Sequence, residues 1–135
     1  MTLRLALKDG EQVVVNGAVL RSVGRTELLV EGRASILRGR DILSPKEANT
    51  PARSLYFHTV MAYIEEAATD AHHDRIIAAL QAVAASMPFA EAQAVVARFA
   101  RQVAGMRYYQ ALADCRILMN LETAFAADAL SEVAA

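Results

Sequence analysis

The sequence predicts an α+β fold, with a small antiparallel β-sheet or partial barrel at the N-terminal end and a helical bundle after it. Three observations carry that expectation. Residues 3–38 hold five short apolar segments separated by turn residues, the first alternating with a period of two. Of the 28 alanines, 24 lie after Pro51, where their helix propensity is useful. Between the two regions, Ser44-Pro45 and Thr50-Pro51 each set a capping residue ahead of a proline, as helix starts do. At 135 residues the chain suits one domain, or two small modules sharing a core: a basic β-strand module over residues 1–50 and a helical module over 51–135.

The strands follow in order. Leu3, Leu5 and Leu7 alternate with Arg4, Ala6 and Lys8, which reads as a half-buried strand. Asp9-Gly10 supplies a turn, and Val13 to Val15 form a second strand. Asn16-Gly17 is the strongest hairpin signal in the chain, leading into a third strand over Ala18 to Val23. Thr26 to Val30 and Ala34 to Leu37 make the fourth and fifth, broken at Gly32 and Gly39. Five such strands are expected to form a single small sheet whose apolar face needs a helix or a second subunit over it.

Ser44-Pro45-Lys46-Glu47 reads as a capping box that opens only a turn or two, because Thr50-Pro51 restarts with the same logic. In the long helix that follows, Leu55, Tyr56, Val60, Tyr63, Ile64 and Ala67 share one face, while His58, Thr59 and Glu65 lie elsewhere. Asp70 or His72 marks the next break. Ile76, Ile77, Leu80, Val83, Ala84 and Met87 give a second stripe, and Pro88 ends it or opens the next helix. Phe89, Ala92, Val95, Val96, Phe99 and Val103 give a third, bounded by Gly105. Tyr108, Leu112, Cys115 and Met119, with Tyr109, Ala113, Ile117 and Leu121 beside them, make an arc so wide that the last helix should be the most buried. Helix is expected to about Glu122, with a fraying tail beyond.

Composition bounds the function. The single cysteine, Cys115, excludes an internal disulfide and fits a reducing cytosol, and no signal peptide or membrane span is visible, so a cytoplasmic, soluble protein is expected. No nucleophile elbow, P-loop, GxGxxG or HExxH occurs, so neither an enzyme nor a cofactor or metal is expected. His72-His73-Asp74 reads as a polar break between helices, because adjacent helical residues point apart and no second pair completes a metal shell. Cys115, on an apolar stripe without basic neighbours, reads as a small core hydrophobe. Glu65-Glu66 reads as a solvated face.

The arginines point further. Residues 1–53 carry nine Lys or Arg against six Asp or Glu, and residues 54–135 carry five against nine. That asymmetry hints at an anionic partner for the strand region, with forked guanidinium donors gripping phosphate. Aromatic residues, which would stack on bases, are absent from residues 1–55.

Leu5-Ala6-Leu7-Lys8, Gly10-Glu11, Val15 to Arg21, Arg25 to Val30, Asp41-Ile42-Leu43 and Thr50-Pro51-Ala52-Arg53 form a series of ordered blocks. Tyr56-Phe57, Ala62-Tyr63-Ile64, Tyr108 to Leu112 and Cys115-Arg116 continue it. The set resembles the FlbT family of flagellin regulators, with the likeness weakest from Ala67 to Val103. The resemblance implies a cytoplasmic post-transcriptional regulator of flagellum biogenesis. Such a protein associates with the 5′ untranslated region of flagellin mRNA and represses its translation or stability. Some members of the family activate instead, and a partner called FlaF acts in the opposite sense. Direct RNA contact would then run through Arg21, Arg25, Arg33, Arg38 and Arg40, with Arg53 at the start of the long helix. The alternative is a flagellin-binding chaperone or adaptor, whose helices offer a groove to a partner such as flagellin or FlaF, with Phe57 and Met61 left partly exposed to meet it. A homodimer or higher oligomer is expected, because five short strands leave at least two open edges.

Overall fold

The computed structural model describes residues 2–65 and 69–134, with five strands leading into four helices. The strands are β1 (Thr2–Leu7), β2 (Gln12–Val15), β3 (Ala18–Arg21), β4 (Thr26–Glu31) and β5 (Ile36–Arg38). They form two antiparallel sheets rather than the single one expected, and neither closes into a barrel. One is β1–β4 and the other runs β3–β2–β5. The Asn16-Gly17 turn closes the β2–β3 hairpin with both residues at positive φ, 50° and 83°, as its sequence demands. Asp9-Gly10 does not close a hairpin. The chain instead steps from one sheet to the other there, tied by Gly10 N–H to the Ser22 carbonyl and by Gly24 N–H to Asp9 Oδ1.

The second strand explains the layering. Val13 and Val14 point to opposite faces of β2, and both are buried. Val13 packs with Leu5 and Leu7 of β1, supported by Val15, Val30 and Ile36, between the two sheets. Val14 lies opposite Leu37 in the β5 register, and Leu37 belongs to the helical core. The three-stranded sheet is therefore a middle layer, apolar on both faces. A run of three valines is the pattern such a strand requires.

A short 3₁₀ turn (Gly39–Asp41) leads toward the helices. The Ser44 box forms only a turn: Glu47 Oε1 accepts from Ser44 N–H while Glu47 N–H donates to the Ser44 carbonyl. This pairing holds the Glu47 carboxyl below its usual range. Helix α1 (Pro51–Ile64) begins at Thr50, whose hydroxyl accepts from Arg53 N–H at 3.2 Å. A second cap comes from far along the chain, where Glu122 Oε2 accepts from Ala52 N–H at 2.9 Å. Leu55, Tyr56 and Val60 of the expected stripe are buried, with Tyr63 and Ile64 packed at its edge; Ala67 lies outside the described residues. Thr59, assigned to the polar side, is instead wholly buried and returns its hydroxyl to the Leu55 carbonyl.

The break after α1 falls at Glu65, before the expected Asp70 or His72. Helix α2 (Thr69–Ser86) contains His72, which is buried rather than a break and lies 3.3 Å from Glu65 Oε2. Glu65 is thus more than a solvated residue, and Glu66 lies outside the described residues. Pro88 stands between α2 and α3 (Ala90–Ala104), whose buried Ala92, Val95, Phe99 and Val103 follow the expected spacing. Helix α4 (Tyr108–Ala134) runs past the expected end at Glu122. Its buried line is Ala111, Leu112, Cys115 and Leu118, while Tyr109, Ala113 and Ile117 face outward, so α4 is not the most buried helix as expected; α1, with six of its 14 residues buried, exceeds it. Residues two helix faces apart cannot share one packing surface. Asp114 is buried and pairs with Arg98 Nε at 2.6 Å, and Arg116 lies over the Tyr56 ring.

Candidate nucleic-acid interface

The arginines of the strand region separate into two groups. Arg21 ends β3, and Arg25 and Arg33 flank turns; all three are exposed, and none forms an ion pair with a described carboxylate. Arg38 is different. Its Nη1 lies 2.8 Å from Glu11 Oε2 and also donates to the Ala6 carbonyl, so its charge is neutralised inside the sheet layer. Of the expected phosphate contacts among the described residues, Arg38 is thus the one already paired with a carboxylate, and Val13 stands opposite it in the register. The Arg40 side chain lies outside the described residues. Arg53 is exposed at the start of α1, where Nη1 donates to Asn49 Oδ1 at 3.2 Å.

Two of the grooves beside these residues differ in charge. An open cleft of about 800 Å³ near the β1–β2 connection is lined by Lys8, Arg25 and Arg38, but equally by Asp9, Glu11 and Glu27. Its charges balance. The other groove, about 640 Å³, lies where the β4–β5 loop meets the α3–α4 connection. Arg33, Tyr63, Arg107 and Tyr109 line it, and none of its described lining residues is acidic. The first turn of α4 also carries no acid, so the positive end of its dipole is left uncompensated there. Asp70 acts on the buried Tyr108 phenol but does not line this groove.

The fold builds the second groove from distant pieces. Tyr63, near the end of α1, accepts the Ile36 N–H through its hydroxyl at 3.0 Å, which fixes the ring against the sheet. Tyr109 packs on it with ring centroids 5.4 Å apart and planes tilted by 48°, yet remains 56% exposed. Arg107 donates from Nε to Gln102 Oε1 at 2.8 Å and lies across Gly105, with its Cζ 3.1 Å from where a Cβ would stand. Met106, not Gly105, takes the left-handed conformation that ends α3, at φ 57°. Gly105, at φ −88°, lets the Arg107 guanidinium lie close against the backbone. Sequence reasoning found no aromatic partner for the arginines because Tyr63 and Tyr109 lie on helices 46 positions apart. One signal was legible: Tyr108 and Tyr109 are adjacent on a helix and cannot both be buried on one face.

The other named residues are placed as follows. Phe57 and Met61 are half-buried on α1, Phe57 meeting the His58 ring edge-on at 5.4 Å. Ala68, which would extend their stripe, lies outside the described residues. Burial pushes the Cys115 thiol up to about 12, which keeps it protonated and inert. Burial, then the charges of Arg75 and His72, hold the His58 imidazole below its usual range. Among the described residues no group of His, Cys, Asp and Glu could hold a metal ion, and no helix is long and apolar enough to cross a membrane.

A family model described as "Flagellar protein FlbT" matches residues 3–125. The chain is 32% identical over 123 residues to the "Flagellum biosynthesis repressor protein FlbT" of Caulobacter vibrioides (strain ATCC 19089 / CIP 103742 / CB 15), covering 90% of this chain and 87% of that protein. It is 33% identical over 123 residues to the "Probable flagellum biosynthesis repressor protein FlbT" of Caulobacter sp. (strain K31), covering 90% and 94%. A relative of the same description from Brucella anthropi is 31% identical over 128 residues, covering 90% and 84%. No solved structure matches the chain.

Proposed function

The chain belongs to the FlbT family, and from that premise we propose that it is a repressor of flagellum biogenesis that binds the 5′ untranslated region of flagellin mRNA. It acts in the cytoplasm and lowers translation or message stability by occupying the leader, without covalent chemistry or a cofactor. One observation supports this most: Arg21, Arg25 and Arg33 stand exposed on the strand layers with no described carboxylate pairing them, while Arg4 pairs with Glu27 and Arg38 with Glu11. Free guanidinium groups at turns suit contact with the phosphates of a single strand. Arg53 extends the same basic set to the start of α1.

The test is titration of the purified protein onto the flagellin leader at several salt concentrations. Direct binding weakens as salt rises, and Arg25→Ala with Arg33→Ala should weaken binding to all RNA sequences alike. Each lost phosphate contact should flatten the log–log salt slope by about 0.7. Unchanged affinity in the double variant would remove these residues from the interface.

A second reading is a chaperone or adaptor that reaches the message through flagellin or FlaF. It is favoured by α4, where every residue from Thr123 to Leu130 is exposed, Phe125 and Leu130 among them. Binding that hardly responds to salt, and competition by flagellin, would favour it over direct RNA contact.

A further inference from the structure

We infer that the groove between the β4–β5 loop and the start of α4 binds one unpaired RNA nucleotide, its base stacked on Tyr109 and its phosphate held by Arg33 and Arg107. The inference rests on the RNA-binding reading above and names a subsite within it. Four features converge there. The groove's size falls within the roughly 300–1,000 Å³ of small-ligand pockets. Its charged lining is cationic only, unlike the balanced cleft beside Arg25. Tyr109 packs at a tilt on Tyr63, whose own hydroxyl is committed to Ile36 N–H, and is 56% exposed. A tyrosine that is packed on a neighbouring ring and still exposed is a stacking platform, because every base offers a π face.

The fourth feature is the way Arg107 is held. Its Nε is engaged by Gln102, and no described residue accepts from its Nη groups, so the fork is oriented with its outer donors free. Gly105 gives the guanidinium room beside the backbone. Arg33 lines the same groove from the β4–β5 loop, which is tied at Ser35, whose N–H donates to Asn16 Oδ1. The base must be unpaired, because a base within a duplex has no free face to offer Tyr109. Phosphate alone would leave the aromatic wall unused, and this favours a nucleotide over a simple anion.

Three probes test it: an end-labelled short oligoadenylate, an abasic oligonucleotide of the same length, and AMP. Tyr109→Ala should weaken oligoadenylate binding by roughly 5- to 150-fold and leave the abasic chain unaffected. Tyr109→Phe should retain affinity. With four tyrosines and no tryptophan, intrinsic emission reports the contact directly; quenching on binding should shrink in Tyr109→Phe while affinity holds. Arg33→Ala and Arg107→Ala should weaken both oligonucleotides and flatten the salt slope. Thermal unfolding checks that each variant is folded. Equal oligoadenylate affinity in Tyr109→Ala and the parent overturns the subsite while leaving the RNA reading intact. No oligoadenylate binding by the parent at low salt overturns both. AMP binding as tightly as the oligonucleotide makes the occupant a free nucleotide and overturns the RNA version.

Discussion

At the scale of single residues, the most informative groups are those whose partners lie far away in sequence. Thr50 and Glu122 both cap α1, on adjacent N–H groups, and only the first was legible, because a Thr-Pro pair is a local signal and a contact across 70 positions is not. Thr50→Ala and Glu122→Ala should each cost about 1 kcal/mol of stability, measured by urea unfolding. Arg38 shows the opposite lesson: it counts as basic in composition, yet Glu11 neutralises it. Cys115 was read correctly as a core residue, and the structure adds a pH consequence. The unfolded thiol ionises from about 9, whereas the folded one holds its proton to about 12, so the unfolded chain binds fewer protons between those values. Stability should therefore fall as pH rises through that window, and Cys115→Ala should lessen the fall. Alkylation by iodoacetamide at pH 8 should be negligible until the protein unfolds.

At the scale of elements, apolar patterning between turn residues located all five strands and the bundle helices. It could not say that the strands split into two sheets. That division follows from β2 being apolar on both faces, a property visible as Val13-Val14-Val15 only once both neighbours are known. The outer strand β3 is exposed at every position, with Val19 64% and Leu20 45% exposed and one edge unpaired. We propose that a second copy of the chain pairs there; Val19→Lys should then lower the mass seen in sedimentation to that of one chain, and a parent that is monomeric across a wide concentration range would remove the idea. On α1, the half-burial of Phe57 and Met61 allows either a packing or a partner role. If they serve a partner, Phe57→Ala and Met61→Ala should hardly move the unfolding midpoint while binding of flagellin or FlaF is lost. If they serve the core, each should cost roughly 2–5 kcal/mol.

At the scale of the whole molecule, the candidate groove was illegible for a reason of topology. Its walls come from a strand-module loop, the end of α1 and the start of α4, and no window of sequence contains all three. The Asp41–Tyr56–Arg116 set likewise joins distant segments: the Tyr56 hydroxyl donates to the Asp41 carbonyl, and Arg116 donates to that hydroxyl. The Glu122 cap carries this dependence into the timing of synthesis. A ribosome delivers Pro51 long before Glu122, so α1 leaves the exit tunnel with an unanswered amide and waits for the last helix to arrive. The strand layers need nothing beyond residue 38 for their own pairing and are free to assemble first. Chains arrested short of residue 122 should accordingly show protease-resistant strands and digestible helices, with resistance appearing in the helical part only when the α4 carboxylate has emerged.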